Sequence, residues 1–158
     1  MPVDKDTFRA TLGRFASGIT ILTARDAAGK DHGMTVSAFC SVSLEPPLVL
    51  ACVARNASVF EHLHAATHVG VNVLASDQEA LSRRFASRDG DRFDGVGYDA
   101  GNTGVALLHD ALASLECAVQ ARHDGGDHVI LVMQVEHARV RDGHPIVYYR
   151  GGYATLAR

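Results

Sequence analysis

Tryptophan is absent from the sequence, and lysine occurs only as Lys5 and Lys30. The other 13 of the 15 basic residues are arginines scattered along the chain, and the formal net charge is −3. A nucleic-acid partner calls for a basic stripe, so none is expected. The densest basic group, Arg83, Arg84, Arg88 and Arg92, is diluted by Asp89 and Asp91. No apolar run approaches the roughly 20 residues that span a bilayer. Met1–Asp6 has no hydrophobic segment of the kind a secretory signal needs, so the expected compartment is the cytoplasm and no membrane partner is expected. Three cysteines, Cys40, Cys52 and Cys117, each sit in apolar sequence without a CxxC pair. That usage fits thiols serving as small core residues, not a disulfide framework or a zinc knuckle. His64 and His68 are four apart, but no glutamate completes an HExxH motif and Thr67 ends the helical pattern, so no metal is expected. No GxSxG elbow or Walker loop occurs. Gly95-Val-Gly97 and Gly101 miss the dinucleotide fingerprint by one residue and follow no strand.

What the sequence does contain is ordinary for one soluble globular unit over residues 1–158: 47% hydrophobic and 21% charged residues, with length enough for a real core. Phe8, Leu12 and Phe15 make an apolar stripe on a helix over 4–15, capped by Asp4 or Asp6. Gly18–Ala24 reads as a strand, and Asp26–Asp31 as a hairpin turn. A strand over Met34–Ser43 follows, ended by Pro46-Pro47. Leu48–Ala54 is apolar throughout, as in a strand buried on both faces. Ala57–Ala66 reads as a short helix and Val69–Leu74 as a strand. Ser76 is placed to cap a helix over 77–86. Residues 87–105 are rich in Gly and Asp without periodicity, a loop long enough to be functional. Strands resume at Leu115–Arg122, Val129–Val140 and Ile146–Tyr149, with a turn at Asp124–Asp127. The pattern predicts a mainly β fold: a barrel of six to seven antiparallel strands, Greek-key-like, with a few peripheral helices.

Two stretches point to a ligand. One face of the 34–43 strand carries Thr35, Ser37, Phe39, Ser41 and Ser43. A hydroxyl face can simply look at water, yet Phe39 would be wasted on solvent and the next strand is apolar. Buried hydroxyls need partners, because an unpaired one costs about 1–3 kcal/mol, and a ligand rich in acceptors would supply them. Immediately after the apolar strand comes Ala54-Arg55-Asn56-Ala57-Ser58, where helix-start N–H groups, Ser58 and Arg55 can hold a phosphate. An ordinary cap beside a solvated arginine reads the same way.

Gly33-Met-Thr-Val-Ser-Ala-Phe-Cys-Ser-Val-Ser-Leu-Glu-Pro-Pro-Leu-Val resembles the short flavin reductase family, as do Gly126-Asp127-His128 and Pro145-Ile-Val-Tyr-Tyr-Arg-Gly-Gly-Tyr. The likeness runs from about residue 6 to residue 156, with the motifs in the family's order. It implies an FMN-binding split β-barrel, a homodimer, and hydride transfer from NADH or NADPH to FMN or FAD, with the reduced flavin handed to a monooxygenase. By position, it implies that Met34, Thr35, Val36, Ser37, Ala38, Phe39 and Ser41 line the flavin ring and ribityl chain. Val53, Ala54, Asn56 and Ser58 would take the ring edge and phosphate, with Phe85 and Arg88 closing over them. His128 and Tyr148 would meet the nicotinamide and Arg150 the pyrophosphate; whether Tyr148 or Tyr149 faces that ring stays open. A flavin holder without turnover, or a split-barrel binder of haem or a pyridoxal derivative, remains an alternative.

Overall fold

A computed structural model of the protein describes residues 1–88 and 90–157. The chain runs α1 (Lys5–Leu12), β1 (Ser17–Gly18), β2 (Thr20–Arg25), β3 (Asp31–Val36), β4 (Phe39–Ser43), β5 (Leu48–Ala54), α2 (Phe60–Ala65), β6 (His68–Val73) and α3 (Glu79–Ala86). It continues through β7 (Tyr98–Ala100), β8 (Ala106–Leu108), β9 (Ala113–Gly125), β10 (His128–Val140), β11 (Ile146–Tyr149) and β12 (Gly152–Thr155). Seven antiparallel strands form one sheet in the order β3-β2-β6-β9-β10-β5-β4.

Connectivity forces that sheet to roll up. Its two edge strands, β3 and β4, are separated by only Ser37 and Ala38. Laid flat, seven strands at ~4.8 Å spacing would put the edges about 29 Å apart. The three steps from Val36 to Phe39 reach only about 10 Å. The edges therefore meet without joining, and the barrel is split along a seam at Ser37–Ala38. Cys52 N–H donates to the Ala38 carbonyl there, at 2.9 Å.

The interior is filled by Leu22, Val36, Ala51, Val53, Val69, Val71, Leu131 and Met133. A second cluster, with Ile19, Ile21, Leu74, Phe85, Leu108 and Ile146, lies under α3 and the C-terminal strands. β1, β11 and β12 form a small separate sheet, in which Ser17 pairs with Tyr148. Among the described residues, no helix is long and apolar enough to cross a membrane.

Several elements depart from expectation, each for a visible reason. The 34–43 strand is two strands, because the chain changes edges at the seam. β5 is buried on one face only: Val49, Ala51 and Val53 point inward, while Leu48, Leu50, Cys52 and Ala54 are half-buried outside. Ser76 does not cap α3: Gln78 stands at the N-cap position without a side-chain cap bond, its side-chain oxygen accepting from Ala75 N–H at 2.9 Å instead. The helix expected from Ala57 begins at Phe60, with no side-chain cap. Residues 87–105 include β7, which pairs with β8 in a short hairpin. Long-range bonds hold that hairpin: Asn72 Oδ1 accepts from Leu108 N–H at 2.9 Å and Thr23 donates to Ala106 at 2.7 Å. Those partners are far away in sequence, so no local period announces them. β12 was not foreseen, being four residues with one glycine. The α1 stripe forms, capped by Asp4, but buries nothing in this chain.

Candidate functional site

The segment Gly33–Cys40 joins two cavities of opposite character. At its start is a polar pocket of about 260 Å³. The β2–β3 hairpin contributes Lys30 to Gly33, the post-β5 turn Ser58, α2 His62, and the post-α3 loop Arg88 and Arg92. Arg92 bridges the two sides, donating to the Gly33 carbonyl at 2.6 Å and to Ser58 Oγ at 3.0 Å. Arg88 donates to the Asn56 carbonyl at 3.2 Å. Desolvation, with the Arg88 charge beside it, lowers the Arg92 pKa. Two guanidiniums held together on neutral acceptors form a receptor for an anion. The acids nearby have partners: Asp31 is bound by Arg25 and Tyr98, Asp26 by His32, and Asp91, which lines the pocket too, accepts from Phe93 N–H at 3.0 Å.

Gly33 forms part of the pocket wall because no side chain fits there. A Cβ would stand 2.9 Å from the Phe85 ring and 3.1 Å from the Leu22 carbonyl. Phe85 itself is wholly buried behind that wall, edge-on to Phe93.

At the far end of the segment is an apolar cleft of about 630 Å³. Ser37, Ala38, Phe39 and Cys40 make one side, Leu50 and Cys52 the base, and Tyr148 with Arg150 another side. Phe8, Leu12 and Phe15 overhang it. Strand alternation turns Tyr148 toward the cleft, beside Tyr153, and leaves Tyr149 turned out and exposed. Arg150 adopts a left-handed conformation, φ 53°, and its N–H donates to the Gly13 carbonyl at 2.9 Å, tying the end of α1 to the cleft rim.

His128 is half-exposed, and its Nδ1 lies 2.7 Å from Asp127 Oδ1. That hydrogen bond holds the Asp127 carboxyl below its usual range. His128 pairs with Ala54 across the β10–β5 ladder, so it shares the outer face of Leu50 and Cys52. It lies along that face from the cleft and not among the cleft's lining residues.

The sequence-nominated residues thus divide. Ser37, Ala38, Phe39, Tyr148 and Arg150 meet at the cleft, and Ser58 and Arg88 at the pocket, with Asn56 behind Arg88. Val36 and Val53 point into the barrel core, and Met34 packs against it. Ala54 is half-buried on the outer face and Ser41 is exposed on edge strand β4. Thr35 donates to the Ser82 carbonyl at 2.6 Å, so a helix takes the hydroxyl that was expected to need a ligand. Arg55 turns away from the pocket to Asp124. No helix starts at Asn56–Ser58 to offer its N–H groups. Sequence reasoning missed Arg92, His32 and His62. The signal for Arg92 was the arginine cluster itself, discounted for its acidic neighbours. Of the two histidines weighed as a metal pair, His64 stacks on Phe60 and His68 pairs with Glu136, and neither lines the pocket.

Fold and cavities define a split-barrel protein with a guanidinium-lined pocket at one end of Gly33–Cys40 and an apolar cleft at the other. The chain belongs to the flavin reductase like domain family, whose model matches residues 12–157. It is 41% identical to the FMN reductase (NADH) SmoA of Agrobacterium fabrum over 96% of this chain and 86% of that protein. It is 36% identical to HsaB, the reductase subunit of a flavin-dependent monooxygenase in Rhodococcus jostii, over 98% of this chain and 79% of the relative. The structure of the Streptomyces globisporus NADH:FAD oxidoreductase SgcE6, in complex with NAD and FAD fragments, superposes with a TM-score of 0.92 at 35% identity. That alignment covers 98% of this chain and 93% of the other.

Proposed function

We propose that this chain is an NAD(P)H-dependent flavin reductase, passing a hydride from NADH or NADPH to FMN or FAD and supplying reduced flavin to a partner monooxygenase. The observation that carries this is the continuity of Gly33–Cys40 between a guanidinium pocket and an apolar cleft. About 13 Å of extended chain separates Gly33 from Ser37, which suits a ligand with a phosphate at one end and a planar ring at the other. The flavin, when bound, supplies the two-electron acceptor, and the protein supplies position and electrostatics.

Arg88, Arg92 and Ser58 hold the phosphate. Ser37, Ala38 and Phe39 hold the ring, with Cys52 and Ala54 beneath. Ser37 and Ala38 belong to neither ladder at the seam, which leaves backbone donors there for the ring's carbonyl edge, where negative charge develops. Tyr148 and His128 orient the nicotinamide, and Arg150 takes the donor's pyrophosphate. No side chain has to exchange a proton for the hydride to move. A second copy of the chain covers the exposed α1 stripe and the outer face of β5, making a homodimer with its ring sites at the interface. The compartment is the cytoplasm.

The test is anaerobic mixing of flavin-loaded protein with NADH. Bleaching of the flavin's visible absorbance at the turnover rate supports the reading, and a flavin that stays oxidised overturns it. His128→Ala should raise KM for the nicotinamide donor several-fold, the size of one lost hydrogen bond of about 1 kcal/mol. Flavin affinity should be intact; loss of flavin binding instead would overturn the role given to His128.

A further inference from the structure

Beyond Ser58, Arg88 and Arg92, the polar pocket has a wall that a terminal phosphate would leave uncovered. His32 and His62 stack there, ring centroids 3.5 Å apart and planes within 7°. His32 comes from β3 and His62 from α2, and both line the pocket. His32 is held in place before any ligand arrives, and His62 stacks on it. His32 Nε2 bonds Asp26 Oδ2 at 2.9 Å, and Asp26 Oδ1 accepts from the N–H groups of Ala28 and Lys30, each at 2.9 Å.

We infer that the His32–His62 stack is a subsite for the adenine ring of an ADP moiety, set beside the guanidiniums that take its phosphates. The proposal rests on the flavin reading above and adds to it a place for the adenine half of a dinucleotide. Two parallel imidazoles at stacking distance present a planar surface that a nucleobase can extend, and base–aromatic stacking needs no particular hydrogen-bond pattern. Arg88 and Arg92, on the same pocket, carry the positive charge that a diphosphate requires.

A metal ion is the competing occupant, since ligand atoms of Asp26, His32 and His62 lie within 4.8 Å of one another. The stack argues against it. Ring nitrogens coordinate in the ring plane, so two stacked parallel rings hold their lone pairs in separate parallel planes and cannot both aim at one ion about 2.1 Å from each. Asp26 Oδ2 is also already spent on His32 Nε2.

An ADP moiety occurs both in FAD and in the nicotinamide donor, and the experiment separates the two. Binding of FAD, FMN and ADP to the purified wild-type protein and to His62→Ala and His62→Phe would be titrated, by flavin fluorescence and by calorimetry for ADP. KM for NADH would be measured with FMN as acceptor. Stacking on one ring predicts that His62→Ala weakens FAD and ADP about tenfold while FMN moves less than twofold, and that His62→Phe restores both. A tenfold rise in KM for NADH, with FAD unchanged, keeps the subsite and assigns its adenine to the nicotinamide donor. An equal loss of FAD and FMN overturns the inference, as does a variant in which FAD, ADP and NADH are all unaffected. Micromolar zinc binding that disappears in His62→Ala while ADP binding persists overturns it as well. If the wild type binds ADP through His62 but binds neither flavin, the flavin reading fails and the subsite stands.

Discussion

The polar pocket and the apolar cleft share one segment of chain and are finished to different degrees. In the pocket, Arg92 is fixed by Gly33 and Ser58, Arg88 by Asn56, and His32 by Asp26. In the cleft, Phe8, Leu12 and Phe15 are 56%, 50% and 80% exposed, and the outer face of β5 is only half-covered. Hydrogen bonds are directional, and their strength is lost within a few tenths of an ångström. A site that works by fixed donors must therefore be assembled within one fold. Apolar burial is non-directional and proportional to area, so a second surface can complete it. A large exposed apolar patch of this kind marks an interaction site. The pocket reads as a finished receptor and the cleft as half of one.

Breaking the unfinished half should produce the largest effect. With Phe8→Asp and Phe15→Asp combined, the dimer proposed above should give way to a species of 16.8 kDa in light scattering. Each phenylalanine contributes about 1.5–3 kcal/mol when fully buried, so the pair shifts association by at least about a hundredfold. α1 buries no residue of its own chain, so the thermal transition of the monomer should remain cooperative. A wild type that is already monomeric, or a double variant that stays dimeric, would break the contrast between the two cavities.

The finished half should respond more narrowly. Arg92→Ala removes one charged donor from the anion site and leaves the Gly33 carbonyl without its partner. A charge-assisted hydrogen bond is worth about 1.5–3 kcal/mol, so flavin affinity should fall roughly ten- to a hundredfold by fluorescence titration, with the oligomeric state unchanged. Arg92→Lys should recover little, because one ammonium on a flexible stem does not bridge two acceptors as a planar fork does. Flavin binding that survives Arg92→Ala would move the phosphate elsewhere.

The contrast also explains how much could be read from the sequence. The strand alternation, the Asp26–Asp31 turn and the Gly-Asp-His hairpin are local, and each appears where periodicity and turn chemistry put it. The seam at Ser37–Ala38 is a property of the closed sheet, so a strand that reads as continuous over 34–43 is in fact two. Thr35 looked like a hydroxyl in need of a ligand because its partner, the Ser82 carbonyl, is 47 residues away. Leu48–Ala54 looked buried on both faces; within one chain it is not, and the residues that misled, Leu50 and Cys52, line the unfinished cleft. Arg92 was passed over because its acidic neighbour suggested a neutralised cluster. Asp91 instead accepts the Phe93 N–H in its own loop, leaving the guanidinium to the pocket.

The smallest expected effect concerns how firmly the pocket is built. The hydrogen bond from His32, followed by those from the N–H groups of Lys30 and Ala28, lowers the Asp26 pKa from 3.8 to about 2. The folded-state value is the lower one, so Asp26 favours the folded state in full above about pH 4, and that contribution disappears as the pH falls toward 2. Asp4, Asp127 and Glu116 are lowered too, so acid stability alone does not single out Asp26; the difference from Asp26→Asn does. Urea midpoints of the two proteins should be separated at pH 5 and converge between pH 4 and 2. Asparagine keeps an acceptor for the two backbone N–H groups without titrating, so the converging part reports the carboxylate's charge acting on His32 first and on the Lys30 and Ala28 N–H groups after it. A gap that stays constant down to pH 2 would show that the Asp26 charge fixes neither His32 nor its own turn. The polar pocket would then be no better prepared than the cleft beside it.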